Sequence, residues 1–193
     1  MSASISTYDL TVPILVRNLE LLNIIIDKAI KHAEDNGKDP EAFLEAHIID
    51  DMLPLSFQFQ TCNRTAHGML PLITTSAIEA DKTHKDNIEE PKTLAEHKTR
   101  VNYTISLLRS LQKEDFVEAS TETRLPVPPS SQAAFPGASK GYVKFTALSY
   151  LQKYVVPTFF FHMVTAYDIL RKEGVPVGKF DFLGAEDFEA WEM

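Results

Sequence analysis

Thr11-Val12-Pro13-Ile14-Leu15-Val16-Arg17-Asn18-Leu19-Glu20-Leu21-Leu22-Asn23-Ile24-Ile25-Ile26-Asp27-Lys28-Ala29-Ile30-Lys31-His32-Ala33 carries apolar residues at Val12, Leu15, Val16, Leu19, Leu22, Ile25, Ile26, Ala29 and Ile30. Steps of three and four residues put these side chains on one side of a 3.6-residue period and predict an amphipathic helix with a broad buried face. Pro13 fits only the first turn of such a helix, and Asn36-Gly37 supplies residues that tolerate the left-handed conformation closing it. Helix one is therefore predicted from about Thr11 to Asp35.

The rest of the chain supplies partners of the same kind. Asp39-Pro40-Glu41 has the form of a helix cap and predicts a short helix over about Pro40 to His47. A second long helix is predicted from a cap at Asp50 or Asp51, with Leu55, Phe59, Cys62 and Ala66 as its buried stripe. Gly68 and Pro71 predict a kink or restart before it ends near Ala80. Asp81 to Glu90 is nearly all polar and reads as a loop; Leu94, Val101, Ile105, Leu108 and Leu111 then define helix three, ending near Lys113.

Pro126, Pro128, Pro129, Pro136, Gly137 and Gly141 exclude a continuous helix in the next stretch. Thr121 to Val127 and Gly141 to Phe145 alternate polar with apolar residues, as the two strands of a hairpin would. Helix four is predicted from about Thr146 to Lys172, kinked at Pro157 and stopped by Gly174. Phe180, Phe182, Phe188 and Trp191 predict that the remaining tail packs back onto the helices. The expected fold class is all-α: a four-helix bundle with a small β-hairpin insertion between helices three and four, forming one domain over residues 1–193.

Composition narrows the function classes. A net charge of −8 leaves no means of holding a phosphate backbone, because the 19 basic residues do not cluster, so no nucleic acid partner is expected. The single cysteine, Cys62, rules out an internal disulfide framework or a cysteine-built zinc site. Apolar runs fall well short of the roughly 20 residues a membrane span needs. Met1-Ser2-Ala3-Ser4-Ile5-Ser6 has no basic start to a secretory signal, so a cytoplasmic protein without membrane partners is expected.

Two stretches resemble a known family. They are Asp51-Met52-Leu53-Pro54-Leu55-Ser56-Phe57-Gln58-Phe59-Gln60 and Pro157-Thr158-Phe159-Phe160-Phe161-His162-Met163-Val164-Thr165-Ala166-Tyr167-Asp168-Ile169-Leu170-Arg171, the second followed by Gly174 to Gly184. With Ser6-Thr7-Tyr8-Asp9 and Val12-Pro13, they resemble an uncharacterised domain family of fungi and bacteria related to the DinB/YfiT-like helical bundles. The resemblance implies a DinB-like bundle over nearly the whole chain. Many DinB-like relatives bind a divalent metal through one histidine on the second helix and two, four residues apart, on the fourth; some transfer low-molecular-weight thiols. Here the fourth helix has only His162, with Thr158 and Ala166 at the flanking positions, and Gln58 stands where the second helix would present its ligand. Glutamine is a poor zinc or nickel ligand, so no metal cofactor of the usual kind is expected.

His162 is then the focus of candidate chemistry. Phe159, Phe160 and Phe161 precede it, and apolar surroundings favour a neutral imidazole that accepts a proton near pH 7. Asp51, Leu55 and Gln58 follow helical spacing, so Asp51 and Gln58 are candidates to orient the ring. The catalytic candidates are His162, Gln58 and Asp51; the substrate-binding candidates are Tyr8, Leu55, Phe159 and Thr165. Plainer readings stand beside them: a core histidine bonded to Gln58 or a carbonyl, Asp51 as a helix cap, Tyr8 as a packing aromatic. His32, His84 and His97 read as solvated or capping residues among polar neighbours, and His67 lies roughly 13 Å along the helix from Gln58. Gly178 to Gly184 lacks phosphate-loop spacing.

Two functions follow as expectations. One is a metal-independent isomerase or lyase acting on a small apolar metabolite through a buried histidine. The other is a non-catalytic binding or stress-associated module with a degenerate metal site; a metal-dependent thiol transferase would need ligands this sequence does not display. Helix faces on a bundle are compatible with a homodimer.

Overall fold

The computed structural model describes residues 5–75, 91–134, 138 and 140–184. Helix α1 spans Val12–Asp35 and buries Leu15, Leu19, Leu22, Ile25, Ile26, Ala29 and Ala33 completely. Lys38 N–H reaches back to Ala33 O and Gly37 N–H to Glu34 O, a turn that needs the positive φ of +63° at Gly37.

Pro40–Glu45 forms a 3₁₀ turn in place of the predicted helix, with Asp39 accepting from the Glu41 amide at 3.0 Å. Helix α2 covers Leu55–Gly68 and starts later than the sequence suggests. Proline disfavours helical geometry in the residue before it, so Pro54 becomes the cap. Asp51 is left exposed in the preceding turn, which corrects its placement on the helical face shared with Gln58. The break expected near Pro71 is present: α3 is a single turn, Leu70–Ile73. The predicted continuation to Ala80 fails at Thr74, which is extended and pairs antiparallel with Phe116; residues 76–90, with the whole polar loop, lie outside the described residues.

Helix α4 spans Leu94–Ser110, its start set by Thr93, whose hydroxyl accepts from the Glu96 amide at 3.1 Å. The Glu41 carboxylate adds a second cap by accepting from the Leu94 amide at 2.7 Å, which ties the 3₁₀ turn to α4. Replacing Glu41 by alanine removes that acceptor. The expected cost is about 1 kcal/mol in urea denaturation, the typical worth of a helix cap; an unchanged midpoint would show that water replaces the bond without loss.

The hairpin is β1, Glu122–Pro126, antiparallel to β2, Tyr142–Thr146, with Thr123 opposite Phe145 and Leu125 opposite Val143. Helix α5, Ala147–Tyr150, leads through a π turn at Leu151–Val155 into α6, Val156–Lys172. Pro157 explains the turn. It has no N–H to donate and its ring would crowd a regular turn, so the chain widens just before it and Val156 N–H bonds to Leu151 O. The expected kink is this π turn.

Helix α7, Lys179–Leu183, folds back on α1: Asp181 accepts from the Gly178 amide at 2.7 Å and pairs with Lys28 at 2.7 Å, while Phe182 meets the Tyr167 ring at 6.1 Å. Phe182 thus packs as predicted and Phe180 is exposed; Phe188 and Trp191 lie outside the described residues.

The long helices α1, α2, α4 and α6 make a helical bundle with a small hairpin. Asn23 bonded to Asn102 at 2.8 Å, with the Asp27–Lys98 and Glu20–Arg109 ion pairs, shows α1 and α4 running antiparallel. Between α2 and α6 the core contains Phe59, Cys62, Phe159 and Met163. No helix among the described residues is long and apolar enough to cross a membrane.

Candidate functional site between α2 and α6

Gln58 lies on the buried stripe of α2 and is 3% exposed, so both ends of its amide need partners inside the protein. Its Nε2 donates to Leu53 O at 2.8 Å, a carbonyl that Pro54 keeps outside the helix. This bond fixes which way the amide faces. Oε1 then meets His162 Nδ1 at 2.7 Å, and since an amide oxygen only accepts, Nδ1 carries the hydrogen. In the neutral ring the lone pair is therefore on Nε2, which makes no hydrogen bond to any described residue.

The imidazole is half-buried, with Phe57 edge-on at 5.8 Å and Phe161 at 5.2 Å between ring centroids. Burial lowers its pKa from the ordinary histidine value, and the Arg64 guanidinium lowers it further. The lowered pKa favours the neutral ring, whose neighbours at the surface are the Phe57 and Phe161 rings. Phe161 is 63% exposed and Leu53, whose carbonyl holds the Gln58 amide, 53%, so exposed apolar side chains lie next to the residues of this pair.

The other candidates lie elsewhere or have ordinary roles. Asp51 is exposed and makes no hydrogen bond to His162 or Gln58 among the described residues. Tyr8 packs edge-on against Phe116 at 5.4 Å, near the start of α1. Leu55 and Phe159 are fully buried core, and the Phe159 carbonyl accepts from Cys62 Sγ at 3.7 Å. Thr165 shares α6 with His162, but its hydroxyl donates to Phe161 O at 2.7 Å. Cys62 is sealed in, and burial pushes its thiol pKa far up, so it is no nucleophile.

His97 corrects the sequence reading. It is 2% exposed, its ring lies 5.4 Å from Phe59, and burial pushes its pKa down to about 4. Its Nε2 has no hydrogen-bond partner among the described residues, nor do Asn63 Oδ1 and Thr104 Oγ1, which are also buried on α2 and α4. Leu94, His97, Val101, Thr104 and Leu108 follow helical spacing, a signal outweighed by the charged neighbours Glu96, Lys98 and Arg100. The residue that sequence reasoning missed beside this pair is Arg64, which shares one face of α2 with Phe57 and Thr61.

The residues do not fit a three-histidine metal centre. Gln58 Oε1 is taken by the His162 N–H, Ala166 is a buried methyl, and no group of three or more His, Cys, Asp or Glu able to hold a metal occurs among the described residues.

A family model described as a domain of unknown function, DUF1993, matches residues 7–183, and the chain belongs to that family. Among solved structures, the crystal structure of a DinB family member protein from Shewanella denitrificans is similar at 31% identity, with a TM-score of 0.75 over 95% of this chain and 94% of the other. This relates the chain to the DinB-like bundles. Comparison with curated proteins gives no match.

Proposed function

We propose that this chain is a small-molecule-binding helical bundle in which His162 moves a proton without a metal ion, catalysing isomerisation, cyclisation or elimination of a metabolite with an apolar body. The observation that carries this reading is the relay from Leu53 O through the Gln58 amide to His162 Nδ1–H. A clamped amide holds the ring in one tautomer and one orientation, as a base needs before it meets substrate. Nε2 takes a proton from an acidic C–H or O–H, the imidazolium keeps its bond to Oε1, and the proton returns to another atom of the substrate or to the leaving group.

The test is to incubate wild type and His162→Gln with a metabolite extract and compare both by mass spectrometry. Wild type is expected to convert at least one compound to an isomer or an elimination product, and the folded variant is expected to leave it unchanged. Equal conversion would remove the catalytic role. Metal analysis of untagged protein purified without chelators is expected to find well below one equivalent of zinc, nickel or iron; stoichiometric metal would contradict the reading.

A further inference from the structure

The Arg64 guanidinium sits over the Phe57 ring, 5.5 Å from its centroid, and the same ring meets His162 at 5.8 Å. Phe57, Thr61 and Arg64 follow helical spacing and share one face of α2, so cation, aromatic plate and imidazole form one continuous surface. The Arg64 side chain is exposed and, among the described residues, donates only to Thr61 Oγ1, at 3.3 Å. No carboxylate among the described residues lies within ion-pair distance of it. Arg109 and Arg124, by contrast, are each paired with a glutamate. A guanidinium beside the candidate base with no carboxylate partner among the described residues keeps its planar donors available for an acid from solution. Phe161 also meets the His162 ring, at 5.2 Å, and is exposed.

We propose that the surface formed by Arg64, Phe57, His162 and Phe161 takes an organic anion. Its carboxylate sits on Arg64, and its apolar or aromatic body lies on Phe57 and Phe161 with the reacting atom at His162 Nε2. This inference rests on the reading of His162 as the functional centre and adds the charge of the ligand. The guanidinium fixes one end of the molecule by paired N–H···O bonds, and the rings hold the other by apolar contact, which sets its direction across this surface. A carboxylate there also draws the proton taken by Nε2 into a favourable field, since the imidazolium forms beside an anion.

The probes are 1-naphthoate and the neutral 1-naphthalenemethanol, titrated into ¹⁵N-labelled protein with amide and imidazole shifts followed by NMR. Naphthoate is expected to bind saturably, shifting Phe57, Arg64, Phe161 and His162, and to bind at least about tenfold more tightly than the alcohol. Arg64→Gln is expected to bring naphthoate down to the affinity of the alcohol while leaving the alcohol's own affinity unchanged, and Arg64→Lys to retain part of the preference. Arg64 is exposed, so the variants are expected to melt with wild type, which serves as the control. If both probes bind at His162 equally well, the anion assignment is overturned and the His162 site stands. If neither shifts the His162 region, both readings fall.

Discussion

Acidification from pH 6.5 to pH 4 is expected to destabilise the fold by about 3 kcal/mol through His97 alone. The residue is sealed between α4 and Phe59, and burial holds its pKa near 4 instead of the ordinary 6.5; Arg100 lowers it further and Glu96 opposes the shift. The folded state therefore refuses a proton that the unfolded chain accepts. Above pH 6.5 both states leave the ring neutral and the effect vanishes. Between the two pKa values the unfolded chain binds more protons, so stability falls as pH falls, by about 1.4 kcal/mol per pH unit. Below pH 4 the folded state takes the proton too and the loss stops growing.

Carboxylates titrate in part of the same window, so the measurement is a difference. Urea denaturation of wild type and of His97→Leu is followed from pH 7.5 to 4. The leucine variant replaces the ring, whose buried Nε2 has no partner among the described residues, by apolar atoms of similar size and is expected to be no less stable at pH 7. The stability difference between the two is expected to widen in favour of the variant by about 3 kcal/mol on acidification. Parallel curves would mean that His97 is reached by water and is not buried as described.

The second large effect is at Gln58. Its amide bonds Leu53 O and His162 Nδ1 at once, and neither bond survives replacement by leucine. Two part-buried polar groups lose their partners, and the expected loss is about 2–3 kcal/mol by chemical denaturation. The imidazole then turns freely between tautomers, so the activity assigned to His162 is expected to drop even in the folded protein. Gln58→Glu acts through charge instead. A carboxylate at the same position favours the imidazolium, so the His162 pKa is expected to rise above the ordinary histidine value, against its lowered position in wild type. Side-chain NMR titration separates the two variants. A His162 titration curve identical in wild type and Gln58→Glu would show that residue 58 does not hold the ring.

How far the sequence carries these features depends on whether each one is local. Helix α1 is fully legible because its stripe, proline start and Asn36-Gly37 end all lie in one segment. The hairpin is legible for the same reason, since alternation and turn residues are neighbours in the chain. Pairing of Gln58 with His162 became legible only through the family resemblance, as nothing local says that the two helices meet at that level. Asp51 lies off the α2 face, and is not its cap, because helical spacing does not extend back through Pro54, where backbone sterics delay the start of the helix. His97 was misread because its charged neighbours point to solvent while its own position in the α4 period points inward. Arg64 left no signal at all: a solvated arginine and a guanidinium poised over a ring beside a base look the same in one dimension.

The claim on which the functional reading turns is that His162 is a neutral ring with its hydrogen on Nδ1 and its lone pair on Nε2. Long-range ¹H–¹⁵N correlation spectra of the imidazole at pH 7 measure this directly. A protonated, pyrrole-like Nδ1 and a bare, pyridine-like Nε2 are expected, with titration below the ordinary histidine value. A hydrogen on Nε2 instead, or a ring already doubly protonated at neutral pH, would contradict it.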